Sequence, residues 1–343
     1  MSTINDVAKL SGVSKSTVSK AYNDYAGISK ATKDKIFAAA KELGYIPSKS
    51  AIDLSRGIQP YLGLILNNLS THSAKDEYIL RMLSGVQERC SERGLDLTLF
   101  TTAQVIRQNY SYVDFCKRHC LMGAIIHGIN INDPNLIELI ESPLPCVLVD
   151  MEYTNSTTAF VSTDNEHAAK TAVQLLHKNG AKKICHILGT KDALVTLHRE
   201  QGFLNEARNL GYKKENVIVV PGEFNETIAY KNVKALLKAH KDIQGIFAAS
   251  DLMALGAKRA IEEAGLIVGQ DVALIGFDGL TALEYTNPQI STIQQDFHNM
   301  GCTAVDTLIS ISHKKVFCDK NYVPYTLLDR DSCKLNRVIP IVK

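Results

Sequence analysis

A chain of 343 residues, 45% hydrophobic and 22% charged, has the composition of a folded protein of two or more domains, which excludes a disordered or fibrous chain. It holds no apolar run near the ~18 residues of a membrane span and opens without a basic-then-apolar leader. Eight cysteines are too sparse for a disulfide scaffold, so a reducing cytoplasm is the expected location and no membrane partner is expected.

The net charge of +2 is unevenly divided. Residues 1–59 carry nine basic and five acidic side chains, net +4, and the remainder carries 29 basic and 31 acidic, net −2. A basic head on a mildly acidic body fits a nucleic-acid-binding module joined to a larger domain. A solvated surface would carry the same charge, so charge alone leaves both readings open.

In chain order, Thr3 with Asp6 three positions on forms an acidic variant of a helix-capping box. Ile4, Val7, Ala8 and Leu10 or Val13 supply one buried side before Gly12 stops the helix. Ser14 offers a second N-cap, after which Val18, Ala21 and Tyr22 face inward and Lys15, Ser16, Ser19 and Lys20 face outward. A third helix from Ser29 buries Ile36, Ala39, Ala40 and Leu43 and ends at Gly44. Two short helices joined at a glycine and followed by a third make a helix-turn-helix, whose second helix lies in the DNA major groove. Lysine donates to guanine O6 or N7, and serine donates or accepts. A three-helix bundle with a solvated lysine side has the same spacing.

The residues themselves say more. "TINDVAKLSGVSKSTVSKAYN", continuing as "ISKATKDKIFAAAKELGYIPSKSAIDLSRG", resembles the headpiece of the lactose/galactose repressor (LacI/GalR) family of bacterial transcription factors. Asp6-Val7-Ala8, Gly12-Val13-Ser14, Thr17-Val18-Ser19, Asn23 and Gly44-Tyr45-Ile46-Pro47 fall at the matching positions. The resemblance implies DNA contacts from Thr3, Ser14, Lys15, Ser16, Thr17, Ser19, Lys20 and Asn23, with Lys15, Ser16 and Lys20 at base-reading positions. It also implies a hinge helix over 48–54, with Ala51 and Leu54 at the minor groove. There Leu54 would wedge into a base step and kink the duplex. Ser48 replaces the family's usual asparagine, and serine also caps well.

Beyond Tyr61 the chain alternates short apolar runs with amphipathic stretches. "YLGLILN", "LDLTLFT", "GAIIHG" and "CVLVDM" read as buried strands, with helices around 78–93, 104–120 and 133–141. "KICHILG", "VIVVPG", "GIFAAS" and "DVALIGFDG" form a second set, with helices near 165–179, 198–210, 226–240 and 252–264. Such alternation predicts two subdomains built on parallel sheets, with ligands beyond the carboxyl ends of the strands.

"VSTDNEHAAKTAVQLLHKNGAKKICHILG", "HREQGFLNEARNLGY", "IFAASDLMALGAKRAIEEAGLIVGQDVALIGFDG" and "ISTIQQDF" are similar to the same family's effector-binding core. The implied fold is a small all-α helix-turn-helix headpiece (1–47) and a hinge (48–59). An α/β periplasmic-binding-protein-like core of two parallel-sheet subdomains follows (60–343). Subdomain 1 would take about 60–162 and 292–322, and subdomain 2 about 163–291 and 323–343. His127, Asp150, Arg199, Phe224, Ser250, Asp278 and Gln295 match family positions that touch the small-molecule effector. Asp76 and Tyr78 are further candidates from the first-strand loop. Carboxylates and a forked guanidinium suit paired sugar hydroxyls, and an aromatic ring packs on a pyranose. Ser250 stands where the family commonly has asparagine, and "NNLSTHSAKDEY" lacks the usual proline-plus-aromatics pattern.

An enzyme is the rival reading from another class. "CKRHC" spaces Cys116, His119 and Cys120 along a helix, but no second Cys/His pair follows at a zinc-site distance, so packing is expected there and no metal. No glycine-rich phosphate loop, GxSxG elbow or HExxH occurs. Asp251 beside Ser250 has no identifiable histidine partner. A secreted sugar-binding protein is the third reading, and the basic head and missing leader oppose it. The expectation is a homodimeric repressor of carbohydrate-utilisation genes that binds operator DNA, needs no cofactor, and answers to a sugar or sugar phosphate. A purine or other corepressor is the alternative.

Overall fold

The computed structural model describes residues 3–22, 25, 27–45, 61–67, 76–107, 110–313 and 321–335. The expected hinge with Ala51 and Leu54, and also Asn23, lie outside them. The chain divides into two compact units, 1–60 and 61–343.

The first unit is three helices: α1 (Ile4–Ser11), α2 (Lys15–Tyr22) and α3 (Lys30–Glu42). Its local signals are realised. The Thr3 amide donates to Asp6 Oδ2 at 2.7 Å, the Asp6 amide donates back to Thr3 Oγ1 at 3.4 Å, and Gly12 closes α1 at φ 69°. The Thr17 amide donates to Ser14 Oγ at 3.1 Å, and the Thr32 amide to Ser29 Oγ at 3.2 Å. Helices this short are marginal alone, so packing holds them. Val7, Ala8, Val18, Ala21, Ile36, Ala39 and Ala40 are buried together, with Tyr22 set against Phe37 and Tyr45. Val13 packs on this core while Leu10 is 46% exposed, which decides between the two candidates.

The second unit carries two six-stranded sheets. The first contains β1 (Tyr61–Leu66), β2 (Asp96–Thr101), β3 (Gly123–His127), β4 (Cys146–Val149), β5 (Thr158–Thr163) and β11 (Tyr322–Val323), ordered β2-β1-β3-β4-β5-β11 and parallel throughout. The second contains β6 (Ile184–Leu188), β7 (Val217–Pro221), β8 (Gly245–Ala248), β9 (Ala273–Asp278), β10 (Ser291–Gln295) and β12 (Tyr325–Leu328), ordered β7-β6-β8-β9-β10-β12, with only β12 antiparallel.

Parallel strands covered by helices on both faces must be apolar at nearly every position, and β3 and β4 are buried end to end. In the first sheet Leu62, Leu64 and Leu66 face α4 (Asp76–Arg93) and α12 (Phe297–Ser312). Ile65, Ile126 and Leu148 face α5 (Thr102–Arg107), α6 (Tyr112–Arg118) and α7 (Leu136–Glu141). The second sheet lies between α8 (Asn165–Lys178) with α9 (Leu194–Asn209) and α10 (Glu226–Ala239) with α11 (Asp251–Glu263).

Two expectations need correction. The helix expected over 104–120 is two pieces, because Ser111 starts α6 afresh by accepting the Asp114 amide at 3.3 Å. The strand 291–295 pairs with β9, so it belongs with the second sheet and does not open the 292–322 segment of the first. The chain returns to the first sheet only at α12, whose N-cap is Asp296.

Candidate functional site

The headpiece presents Ser14, Lys15, Ser16 and Lys20 as exposed side chains, with Thr17 and Ser19 half-buried and Val18 and Ala21 buried beneath them. Ser14 Oγ lies 2.8 Å from both Ser16 Oγ and Thr17 Oγ1, so the hydroxyls form one cluster at the start of α2. No acidic side chain occupies the first turn of α2. A helix N-terminus with hydroxyls and lysines favours an anionic partner. Thr3 is exposed, and its hydroxyl is held by Asp6 Oδ2 at 2.7 Å.

The effector candidates gather at the carboxyl ends of strands. His127 ends β3, Asp150 follows β4, Phe224 follows β7, Asp278 ends β9 and Gln295 ends β10. Asp150 (φ 63°), Phe224 (φ 50°) and Asp278 (φ 123°) have left-handed backbones. A non-glycine residue held there costs roughly 1–3 kcal/mol and persists only where its surroundings enforce it.

Asp150 accepts from Ser162 Oγ at 2.8 Å and faces His127 Nε2 at 3.9 Å. The Tyr78 ring lies 5.6 Å from that imidazole and 5.2 Å from Phe297. Burial lowers the His127 pKa, and the nearby Asp150 charge opposes the shift. The buried Nδ1 of His127 has no hydrogen-bond partner among the described residues, a group expected to find one.

Gln295 ties the lobes together. Its Oε1 accepts from Thr163 Oγ1 at 2.7 Å on the first sheet, and its Nε2 donates to Asp278 Oδ1 at 3.0 Å on the second. At one rim Glu77 accepts from Thr281 Oγ1 at 2.6 Å, and Arg81 Nη1 donates to Gly279 O at 3.2 Å. At another rim His198 Nδ1 meets Glu152 Oε1 at 3.1 Å.

Arg199 is buried on α9. Nε donates to Asn165 Oδ1 at 2.8 Å, Nη1 donates to Ala249 O at 2.6 Å, and the guanidinium lies 3.6 Å from the Phe277 ring centroid. Desolvation pushes the Asp278 carboxyl up to about 8, against the pull of Arg199. A carboxyl poised between forms can donate or accept, as a hydroxyl-rich ligand requires. The Phe224 ring fits because residue 189 is glycine: a Cβ there would meet Phe224 Cζ at 2.1 Å.

Ser250 differs from its expected role. Its hydroxyl accepts the Met253 amide at 3.3 Å as the N-cap of α11. The neighbouring Asp251 is locked by Thr292 Oγ1 at 2.6 Å and the Leu280 amide at 2.7 Å, the arrangement of a structural group rather than a catalytic acid. Asp76 opens α4, and its side chain lies outside the description. In "CKRHC", Cys116 is buried while His119 and Cys120 are exposed, so those donors do not converge. Sequence reasoning missed Asn165, which orients Arg199, and Thr196, whose buried hydroxyl has no partner among the described residues and lies beside Gly189.

A helix-turn-helix headpiece, followed by two parallel-sheet lobes whose polar strand ends meet, defines a ligand-responsive DNA-binding transcription regulator. Residues 3–48 match the family of bacterial regulatory proteins, lacI family, and residues 173–333 match a periplasmic binding protein-like domain. With relatives that span nearly the whole chain, these matches make it similar to LacI-family transcriptional regulators. It is 29% identical over 340 residues to the HTH-type transcriptional regulator MalR of Clostridium butyricum, covering 96% of this chain and 98% of MalR. It is 29% identical to the ribose operon repressor of Halalkalibacterium halodurans, covering 97% and 98%. Among solved structures, the lac repressor dimer bound to operator and the anti-inducer ONPF superposes with TM-score 0.83 at 24% identity, covering 97% of this chain and 99% of that one. No helix among the described residues is long and apolar enough to cross a membrane.

Proposed function

We propose that this regulator represses carbohydrate-utilisation genes as a homodimer on a near-palindromic operator and is controlled by a small sugar or sugar phosphate in the interlobe cleft. The observation that carries the reading is the set of hydroxyl-matching groups at the strand ends. Asp150 and Asp278 are held in left-handed backbone, Arg199 is buried beside them, and His127 has an orphaned Nδ1. The ribose operon repressor supports a sugar by its name, and the lac repressor structure supports a dimer. Two headpieces related by a twofold axis would read two half-sites. Effector would act through its different affinity for the two lobe arrangements, biasing the segment expected to form a hinge around Ala51 and Leu54.

The test is a thermal-shift screen of the purified chain against sugars, sugar phosphates and purines, followed by operator gel shifts. A ligand that binds only the folded form raises its stability by mass action, ~2.7 kcal/mol at a hundredfold excess over Kd. The expected result is stabilisation by a sugar that also releases operator. Stabilisation by a purine that tightens operator binding would instead establish a corepressor.

Lys20→Ala is expected to weaken binding to the cognate operator about tenfold and to flatten discrimination among operator variants. One lost base contact costs roughly 1–3 kcal/mol. Equal affinities for wild type and variant across an operator panel would remove Lys20 from base reading.

A further inference from the structure

The helices α4 and α12 cross at their glycines. A Cβ on Gly85 would lie 1.9 Å from His298 O, and one on Gly301 would lie 2.3 Å from Met82 O. Backbone therefore touches backbone, and side chains one turn away are carried on a rigid pair. On that crossing stand Glu88 from α4 and His298 and Cys302 from α12, four residues apart and so on one helical face. His298 Nε2 is 3.2 Å from Glu88 Oε2, and its Nδ1 is 3.9 Å from Cys302 Sγ. One ligand atom from each of the three lies within 4.8 Å of the others.

We propose that Glu88, His298 and Cys302 form a zinc-class transition-metal site that staples α4 to α12. Carboxylate, imidazole and thiolate are the donors of tetrahedral zinc. Bonds of about 2 Å in that geometry hold N and O ligands roughly 3.3 Å apart, close to the observed His298–Glu88 separation. One imidazole nitrogen takes the ion, and three protein ligands leave a fourth position for water or an outside donor. The ion enters from solvent, since Glu88 is exposed and His298 half-buried, while Cys302 forms the buried floor.

The surroundings accept a cation. Arg89, beside Cys302, is paired with Asp306 at 2.8 Å and with Glu92 at 3.2 Å, and Arg93 also reaches Asp306 at 2.8 Å. The Cys302 thiol donates to Gly85 O at 3.4 Å, a proton that it must release to bind the ion. None of the three residues is among the candidate DNA- or effector-contacting groups.

The full chain, freed of metal, is titrated with Co2+ as the spectroscopic probe and then competed with Zn2+. One equivalent is expected to give tetrahedral absorption with a thiolate-to-cobalt band. Cys302→Ser, near-isosteric and able to keep the bond to Gly85 O, is expected to abolish the band and weaken Zn2+ more than about 100-fold. Losing an outer-sphere partner alone costs 10–100-fold. His298→Gln supplies a second variant, and circular dichroism confirms that each folds. Absence of the band in the unmodified chain overturns the proposal. So does a band that survives Cys302→Ser, which would place the ion on another thiol such as the exposed Cys120.

Discussion

Arg199→Ala is expected to leave operator binding intact and to abolish the response to effector. Arg199 is only 3% exposed, and its hydrogen bonds and ring contact among the described residues are internal to the core: Asn165 Oδ1, Ala249 O and the Phe277 ring. Truncation removes the effector cleft's buried cation and leaves two acceptors without their donor. Leaving buried acceptors without their charged donor costs roughly 1–3 kcal/mol. Here the loss falls toward the lower end, because Asp278 is already pushed up to about 8 and Arg199 is what holds it from rising further. Without that attraction the carboxyl stays protonated at pH 7 and leaves no uncompensated charge. Ligand binding also loses the donor fork. Effector affinity should fall more than about 100-fold, equivalent to ~2.7 kcal/mol. The headpiece has its own core, so operator affinity without effector should be unchanged. Arg199→Lys keeps the charge but loses the fork and the flat stack on Phe277, and should recover only part of the response. An Arg199→Ala chain that effector still releases fully from operator would remove Arg199 from the site.

The parts of the fold that were legible are those written locally. Thr3 with Asp6, Gly12, Ser14 and Ser29 are short-range devices, and each caps or ends the helix that its position implied. Buried parallel strands are apolar runs by necessity, so β1, β3, β4, β6, β8 and β9 were visible as such. What failed were elements whose pattern carries no period. Nine of the sixteen residues of α12 are buried, leaving little polar stripe to mark a helix, and β11 is only two residues long. The polar strand ends were readable because a polar residue closing an apolar run stands out. Asn165, Thr196 and the Thr163–Gln295–Asp278 chain were not, since topology rather than spacing brings them together. The same holds for Glu88 and His298, 210 residues apart in sequence.

Gly85→Ala provides a test of the helix crossing in which two effects have opposite signs. Inside a helix, glycine to alanine ordinarily stabilises by roughly 0.5–1 kcal/mol, because alanine loses less backbone entropy. At position 85 the added methyl would sit 1.9 Å from His298 O and 2.8 Å from its carbonyl carbon. Neither atom is the free end of a flexible side chain, so the helices themselves must separate. Overpacking of this kind costs about 1–3 kcal/mol and occasionally more. With main chain on the receiving side the upper value applies, and the net result should be a loss of ~2 kcal/mol or more. Ser84→Ala is the control, being one residue away and exposed, and it should be neutral or slightly stabilising. Urea unfolding of the two variants reads the difference directly, and equal midpoints would show that the crossing yields without cost. The shift should also reach the effector cleft. The helix α12 starts at Phe297, two residues after Gln295, and Gln295 is the link between Thr163 and Asp278. A helix pushed outward at its first turn strains that link, so Gly85→Ala should weaken effector binding although residue 85 is not among the candidate ligand-contacting groups.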